Sequence, residues 1–260
     1  RRRVELLPAI VVNYITASAW GIAIARPFEG GVPVSLLLPA AGLGALFIGM
    51  FYLTGLSARR AGIAATSVAS KMSLVLTVLF AVLVFGDRPT AIGWAGIALA
   101  LIAVPLASFT RGLPGARGAW LLPVLLFLGN AAIDISLNAA QRELLTPQTE
   151  ALFTTIVFAA AGLIGLASLA WSGKLQALRA PRSVVGGVLL GSVNHASLMA
   201  ILMALARSGF APSSLFPLMN IGVILFATGL GIVLFGDRVS TAQWAGIALA
   251  IAAMALLLNG

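Results

Sequence analysis

Cysteine is absent, histidine occurs once, and charge is sparse: 9% of the 260 residues are charged and only seven of them are acidic. The first absence excludes disulfides, thiolate catalysis and cysteine-ligated metals, and leaves the redox compartment open. With one histidine, no His-Glu-x-x-His arrangement and no serine in a nucleophile-elbow setting, neither a metal site nor an intramembrane hydrolase is expected, and no cofactor is implied. No phosphate-cradling loop is present either, so any work the chain does must draw on gradients or exchange.

What is abundant is apolar. Hydrophobic residues make up 60% and mean hydropathy is +1.08, against about 45–50% apolar and about 25% charged in soluble domains. The net charge of +9 comes from cations scattered in ones, twos and threes between apolar runs. That is no nucleic-acid footprint, so the expected partners are the lipid bilayer and a small-molecule substrate. Twenty-eight glycines suit close helix packing in lipid.

Charge, glycine and proline divide the chain into apolar segments near 6–25, 33–56, 61–85, 90–108, 119–140, 149–172, 184–206, 211–235 and 241–259. Each is read as a helix, because an open strand edge is unsatisfied in hydrocarbon and no alternating pattern suggests a barrel. Arg1–Arg3, the following apolar run and Ala23-Ile24-Ala25 also resemble a secretory signal. That run is longer than a signal core and carries Asn13, Tyr14, Thr16 and Trp20, which favours a permanent helix.

An internal repeat organises these segments. Residues 83–100 (LVFGDRPTAIGWAGIALA) and 233–250 (VLFGDRVSTAQWAGIALA) share Gly-Asp-Arg and Trp-Ala-Gly-Ile-Ala-Leu-Ala at an offset of 150. Upstream the offset is 147: Thr66-Ser67 meets Ser213-Ser214, Met72 meets Met219, and Ser73 meets Asn220. The halves are residues 1–108 and 119–260, joined by a linker at 109–118. Five segments separate the two Gly-Asp-Arg turns, an odd number, so the turns are expected on opposite membrane faces and the halves inverted. Such a repeat is typical of secondary transporters. The offset also places one further helix before Arg1, so ten helices in two sets of five are expected, nine of them in this chain. Lys and Arg number 11 in the loops on one side and four on the other, which sets Arg1–Arg3 and the Lys174–Arg182 loop in the cytoplasm.

The two segment pairs joined by a Gly-Asp-Arg turn, each followed by a Trp-Ala-Gly-Ile-Ala-Leu-Ala helix, resemble the EamA-like repeat of the drug/metabolite transporter superfamily. The resemblance covers almost the whole chain. It implies an all-α integral membrane protein of ten helices in two inverted five-helix repeats, acting as a transporter of amino acids, other metabolites, drugs or nucleotide-sugars. The family is commonly described with cytoplasmic termini, opposite to the charge count.

Lys71 and Asp134 stand apart from the other 21 charged residues, which sit in loops or at helix ends. An ionisable group at mid-helix costs at least about 2.5–3.5 kcal/mol on insertion scales, which makes these two functional candidates. Ser67 and Ser70 precede Lys71 and Thr77 follows it, giving a hydroxyl-bearing stripe suited to a carboxylate or phosphate. A structural ion pair, or a lysine held neutral by burial, is the plainer reading. Asn130, Asp134, Asn138 and Gln141 follow helical spacing on one face, expected to look inward. Among small multidrug relatives the first helix holds a proton-coupling carboxylate, so the resemblance implies that Asp134, on the equivalent helix of the second half, cycles a proton. A static partner for Lys71, a polar substrate group and a plain helix-end position are the alternatives.

Asn13, Asn194, His195 and Asn220 complete the candidate substrate-binding set, with Thr16 and Tyr14 beside them; Trp20, Tyr52 and Phe216 are read first as packing or interfacial residues. Asp87 is expected to sit at the N-terminus of the following helix, a structural role. These readings lead to a secondary transporter in the bacterial inner membrane, moving a small polar or anionic metabolite by alternating access and not acting as an enzyme. The alternative is a lipid or polyprenyl-carrier translocase of the same fold.

Overall fold

The computed structural model describes residues 6–25, 31–107, 120–235 and 239–259. Arg1–Arg3, the linker 109–118 and the second Gly-Asp-Arg turn, Asp237 and Arg238 included, lie outside the described residues. Among the described residues ten α-helices follow one another: α1 Leu6–Ala25, α2 Val34–Arg60, α3 Ile63–Met72, α4 Leu74–Leu83, α5 Ala91–Ala107, α6 Leu121–Glu143, α7 Glu150–Trp171, α8 Pro181–Arg207, α9 Pro212–Leu230 and α10 Thr241–Asn259. A 3-10 turn, Leu175–Arg179, precedes α8, and a π segment, Gly231–Phe235, continues α9. No strand occurs among the described residues.

Among the described residues eight spans are long and apolar enough to cross a bilayer, one of them made of α3 and α4 together, and α5 is a shorter apolar helix. These match the nine apolar segments of the sequence. The protein is an all-α integral membrane protein.

Helix ends follow local rules. Pro181 and Pro212 open α8 and α9, where a missing N–H costs nothing. The Thr90 hydroxyl caps α5 by accepting the Gly93 N–H at 3.0 Å. Its repeat counterpart Ser240 exchanges bonds with Gln243, a reciprocal capping box at the start of α10. Asp87, expected from sequence at the start of the following helix, also reaches a second helix. Its Oδ2 accepts the backbone N–H of Ser213 at 2.9 Å, in the first turn of α9. Thr90 already serves α5, and α9 has no side-chain cap from its own N-cap residue, Ala211.

The chain divides into two compact units, each drawing on both halves of the sequence. The first comprises 1–55 and 136–208. Its centre is α1, packed against both α7 and α8. Gly162 and Gly165 of α7 face Tyr14 and Val11, while Gly21 of α1 meets Thr155, so α1 and α7 run antiparallel. Gly187 and Gly191 of α8 receive the α1 backbone and side chains at Val12 and Asn13. Small residues permit this approach, which supplies dispersion contact where lipid removes the hydrophobic drive between helices. Tyr14, fully buried, lies 6.0 Å from the Phe158 ring and 6.2 Å from that of Phe51. The helix once compared with a signal segment is therefore the centre of this unit.

The second unit comprises 56–135 and 209–260. Its most extensive pairing joins α5 to α10, the two near-identical repeat segments. They are antiparallel: Gly96, early in α5, abuts Leu257 near the end of α10, and Gly246, early in α10, abuts Ala107 at the end of α5. Gly96 and Gly246 are repeat equivalents, and so are Ala107 and Leu257. One contact is thus made twice, with the roles of the copies exchanged. Around this pair, α9 packs on α4, α5 and α10, and α3 on α5.

Candidate functional site

The predicted residues fall into separate groups. Lys71, Asp134, Asn130, Ser67, Ser70 and Asn220 belong to the second unit; Asn13, Asn138, Asn194 and His195 belong to the first.

In the second unit the span 61–85, expected as a single helix, is interrupted at Ser73. No glycine or proline marks the place, and Ser73 keeps helical dihedrals of −53° and −25°. What changes is the hydrogen bonding. The Ser73 N–H turns to the Lys71 carbonyl two residues back, and its Oγ donates to the Ser70 carbonyl at 2.8 Å. A discontinuity at membrane depth is tolerated where side chains re-satisfy the backbone, and in transporters such breaks often flank a binding site.

Both candidate charges are held beside this interruption. Lys71 Nζ donates to Asn220 Oδ1 of α9 at 3.3 Å, and Asn220 is anchored by its Nδ2 on the Phe216 carbonyl at 3.1 Å. Asp134 of α6 accepts a hydrogen bond from Thr77 Oγ1 of α4 at 3.2 Å. Lys71 and Asp134 lie within electrostatic reach of each other, yet each is held by a neutral partner. Such partners satisfy one position of an ammonium or carboxylate and leave further donors or acceptors for a polar ligand. Asn220, the repeat counterpart of Ser73, was named from sequence; Thr77 was seen only as part of a stripe. Ser67 and Ser70 are half-buried on α3.

Two members of the inward-facing α6 series are accounted for locally. Asn130 donates to the Leu126 carbonyl of its own helix at 2.8 Å, and Asn138 accepts Arg142 Nε one turn on at 3.1 Å. Gln141 bonds Glu150 at 3.4 Å. Glu150, 1% exposed, meets Arg207 Nη2 at 3.6 Å. Sequence reading passed over this acid because it opens α7 and counted as a helix end.

In the first unit, Asn194 Nδ2 donates to Asn13 Oδ1 at 3.3 Å, joining α8 to α1. His195 is buried with its ring 6.2 Å from that of Phe158. Trp20 donates from Nε1 to Ser192 Oγ at 2.9 Å, another α1–α8 tie. Phe216 is buried and Tyr52 exposed. A cavity of about 460 Å³ opens between α2, α6 and α7, lined by Leu43, Leu46, Ala140, Leu144 and Phe153, with Ser136 and Glu143 as its polar members. None of the predicted site residues lines it. Among the described residues, no three His, Asp or Glu side chains come together as a metal site would require.

Comparison with known proteins extends the fold but not the chemistry. No family model matches the chain. A protein of Haemophilus influenzae, itself uncharacterized, is 24% identical over 264 residues, covering 98% of this chain and 89% of its own. A protein of known crystal structure has the same fold, with a TM-score of 0.76 at 18% identity over 99% of this chain and 90% of that one.

Proposed function

We propose that the chain is a secondary transporter of the EamA-like, drug/metabolite transporter kind, built from inverted repeats and carrying a small polar or anionic metabolite by alternating access across a bacterial inner membrane. One observation carries this reading. Lys71 and Asp134, both placed at mid-span in an apolar protein, sit beside an interrupted helix and are held by Asn220 and Thr77 instead of pairing directly with each other. Two charges closed into a tight ion pair would be structural; two charges on neutral partners are available to a ligand and to a coupling proton. In this proposal Lys71 attracts the anionic group of the substrate, Ser67 and Ser70 line its approach, and Asp134 carries the coupling proton. The exchanged contacts of α5 and α10 support the inverted arrangement.

A thermal-shift screen of metabolites on purified protein identifies ligands, since binding to the folded state alone raises apparent stability. With such a ligand in reconstituted vesicles, Lys71→Ala loses saturable uptake while expression and melting stay at wild-type values. Unchanged uptake would remove Lys71 from the mechanism.

A further inference from the structure

Thr77 Oγ1 has two acceptors in reach. Asp134 Oδ2 lies at 3.2 Å and the carbonyl oxygen of Ser73 at 3.3 Å, and Thr77 itself is 2% exposed. A threonine hydroxyl has one hydrogen, so at any moment it serves one of them. The choice is governed by Asp134. When ionised, that carboxylate only accepts, and Thr77 must donate to it. The Ser73 carbonyl then keeps the Thr77 backbone N–H at 3.1 Å. When Asp134 takes a proton from hydronium, one hydronium O–H bond breaks to leave water, and the new carboxyl O–H donates to Thr77 Oγ1. Thr77 keeps its own hydrogen and turns it onto the Ser73 carbonyl.

We propose that Thr77 is a two-position hydrogen-bond switch that passes the protonation state of Asp134 to the interruption at Ser73. The proposal rests on the coupling role given to Asp134 above and supplies what that role lacks, a route from proton to backbone. A hydroxyl bonded to the carbonyl four residues back bends a helix. Here the carbonyl belongs to the residue at which α3 gives way to α4, one bonded pair away from Lys71. Protonation therefore changes the bend beside the substrate charge, and release of the proton reverses it. Among the described residues of this unit, the charged group in electrostatic reach of Asp134 is Lys71 of α3. From α9 comes the neutral Asn220, and α5 and α10 carry no ionisable side chain. Thr77 is a positioning residue, acting through Asp134 and Ser73.

The test needs no substrate. Infrared pH titration of the purified full chain, with Asp134→Asn subtracted, isolates the Asp134 carboxyl stretch. Hydrogen exchange of residues 70–77, expressed as protection factors, reports the interruption. Wild type should show a titrating carboxyl band, with protection changing roughly threefold or more at the same midpoint. Thr77→Ser should preserve both. Thr77→Val, or Thr77→Ala if the valine variant does not fold, should keep a titrating carboxyl band but lose the pH dependence of protection. If protection in the valine or alanine variant follows pH as in wild type, the switch is wrong and the coupling role of Asp134 stands. If no Asp134 band titrates in wild type, the coupling role fails and the switch with it.

Discussion

Two pairs of repeat equivalents lie side by side in the second unit and have diverged unequally. The α5 and α10 helices share an identical Trp-Ala-Gly-Ile-Ala-Leu-Ala stretch and exchange the same contact, Gly96 on Leu257 and Gly246 on Ala107. The α3–α4 span and α9 have drifted apart. Lys71 faces Leu218 in the alignment of the halves, and Ser73 faces Asn220. Leu83 follows Met72 by 11 residues, whereas Val233 follows Met219 by 14. The shorter copy is interrupted at Ser73; the longer copy contains the π segment Gly231–Phe235. Identity has persisted where each copy is the other's packing surface, and the polar chemistry sits where the copies differ. The α5–α10 contact is symmetric and the candidate site is not.

Substitutions can break this contrast. The largest effect is expected from moving the charge between copies. Lys71→Leu should abolish saturable uptake in vesicles, and adding Leu218→Lys should not restore it, because Asn220 is Lys71's partner and has Ser73 as its own counterpart. Rescue by the second substitution would mean that the two copies are interchangeable after all. Next comes Asp134→Asn, which should leave ligand binding in thermal shift but make uptake insensitive to an imposed pH gradient. A gradient response like that of wild type would exclude Asp134 as the proton carrier.

Packing in the symmetric pair gives a smaller, purely structural effect. A Cβ at Gly246 would collide with the backbone at Ala107, with the Leu106 carbonyl carbon at 2.8 Å as well, whereas at Gly96 its shortest contact is with a side chain, Leu257 Cγ at 2.8 Å. Gly246→Ala should therefore cost about 1–3 kcal/mol, more than Gly96→Ala, while Gly222→Ala, with nothing within 4 Å, should be near neutral. Equal melting temperatures for the three variants would contradict the close approach. Smallest is Asp87→Ala, which removes the acceptor of the Ser213 N–H and should cost about 1 kcal/mol, as lost helix caps do.

Much of the helical framework was legible because hydropathy at membrane depth is strict. All nine apolar segments reappear among the described residues, and the internal repeat named the helices that pack in the α5–α10 pair. The change of offset from 147 to 150 also marked where the copies differ in backbone, although the π segment itself has no residue signature. The interruption at Ser73 was hidden, because its dihedrals stay helical and only its hydrogen bonds shift. Candidate site residues were legible in proportion to their charge. Lys71 and Asp134 stood out; Thr77, a common helix residue in an apolar run, did not. For the α6 series, spacing reveals a shared face but not that Asn130 bonds its own backbone.

The contact between Asp87 and Ser213 has a consequence in time. The acceptor leaves the ribosome 126 residues before its donor, when the second copy of the repeat has not been synthesised. Since chains are made from the N-terminus and their parts fold as they emerge, α9 enters with the carboxylate for its first turn already made. A chain halted before Pro212 holds the turn without the helix that it caps. The first copy thus supplies its half of this contact before the second copy can complete it.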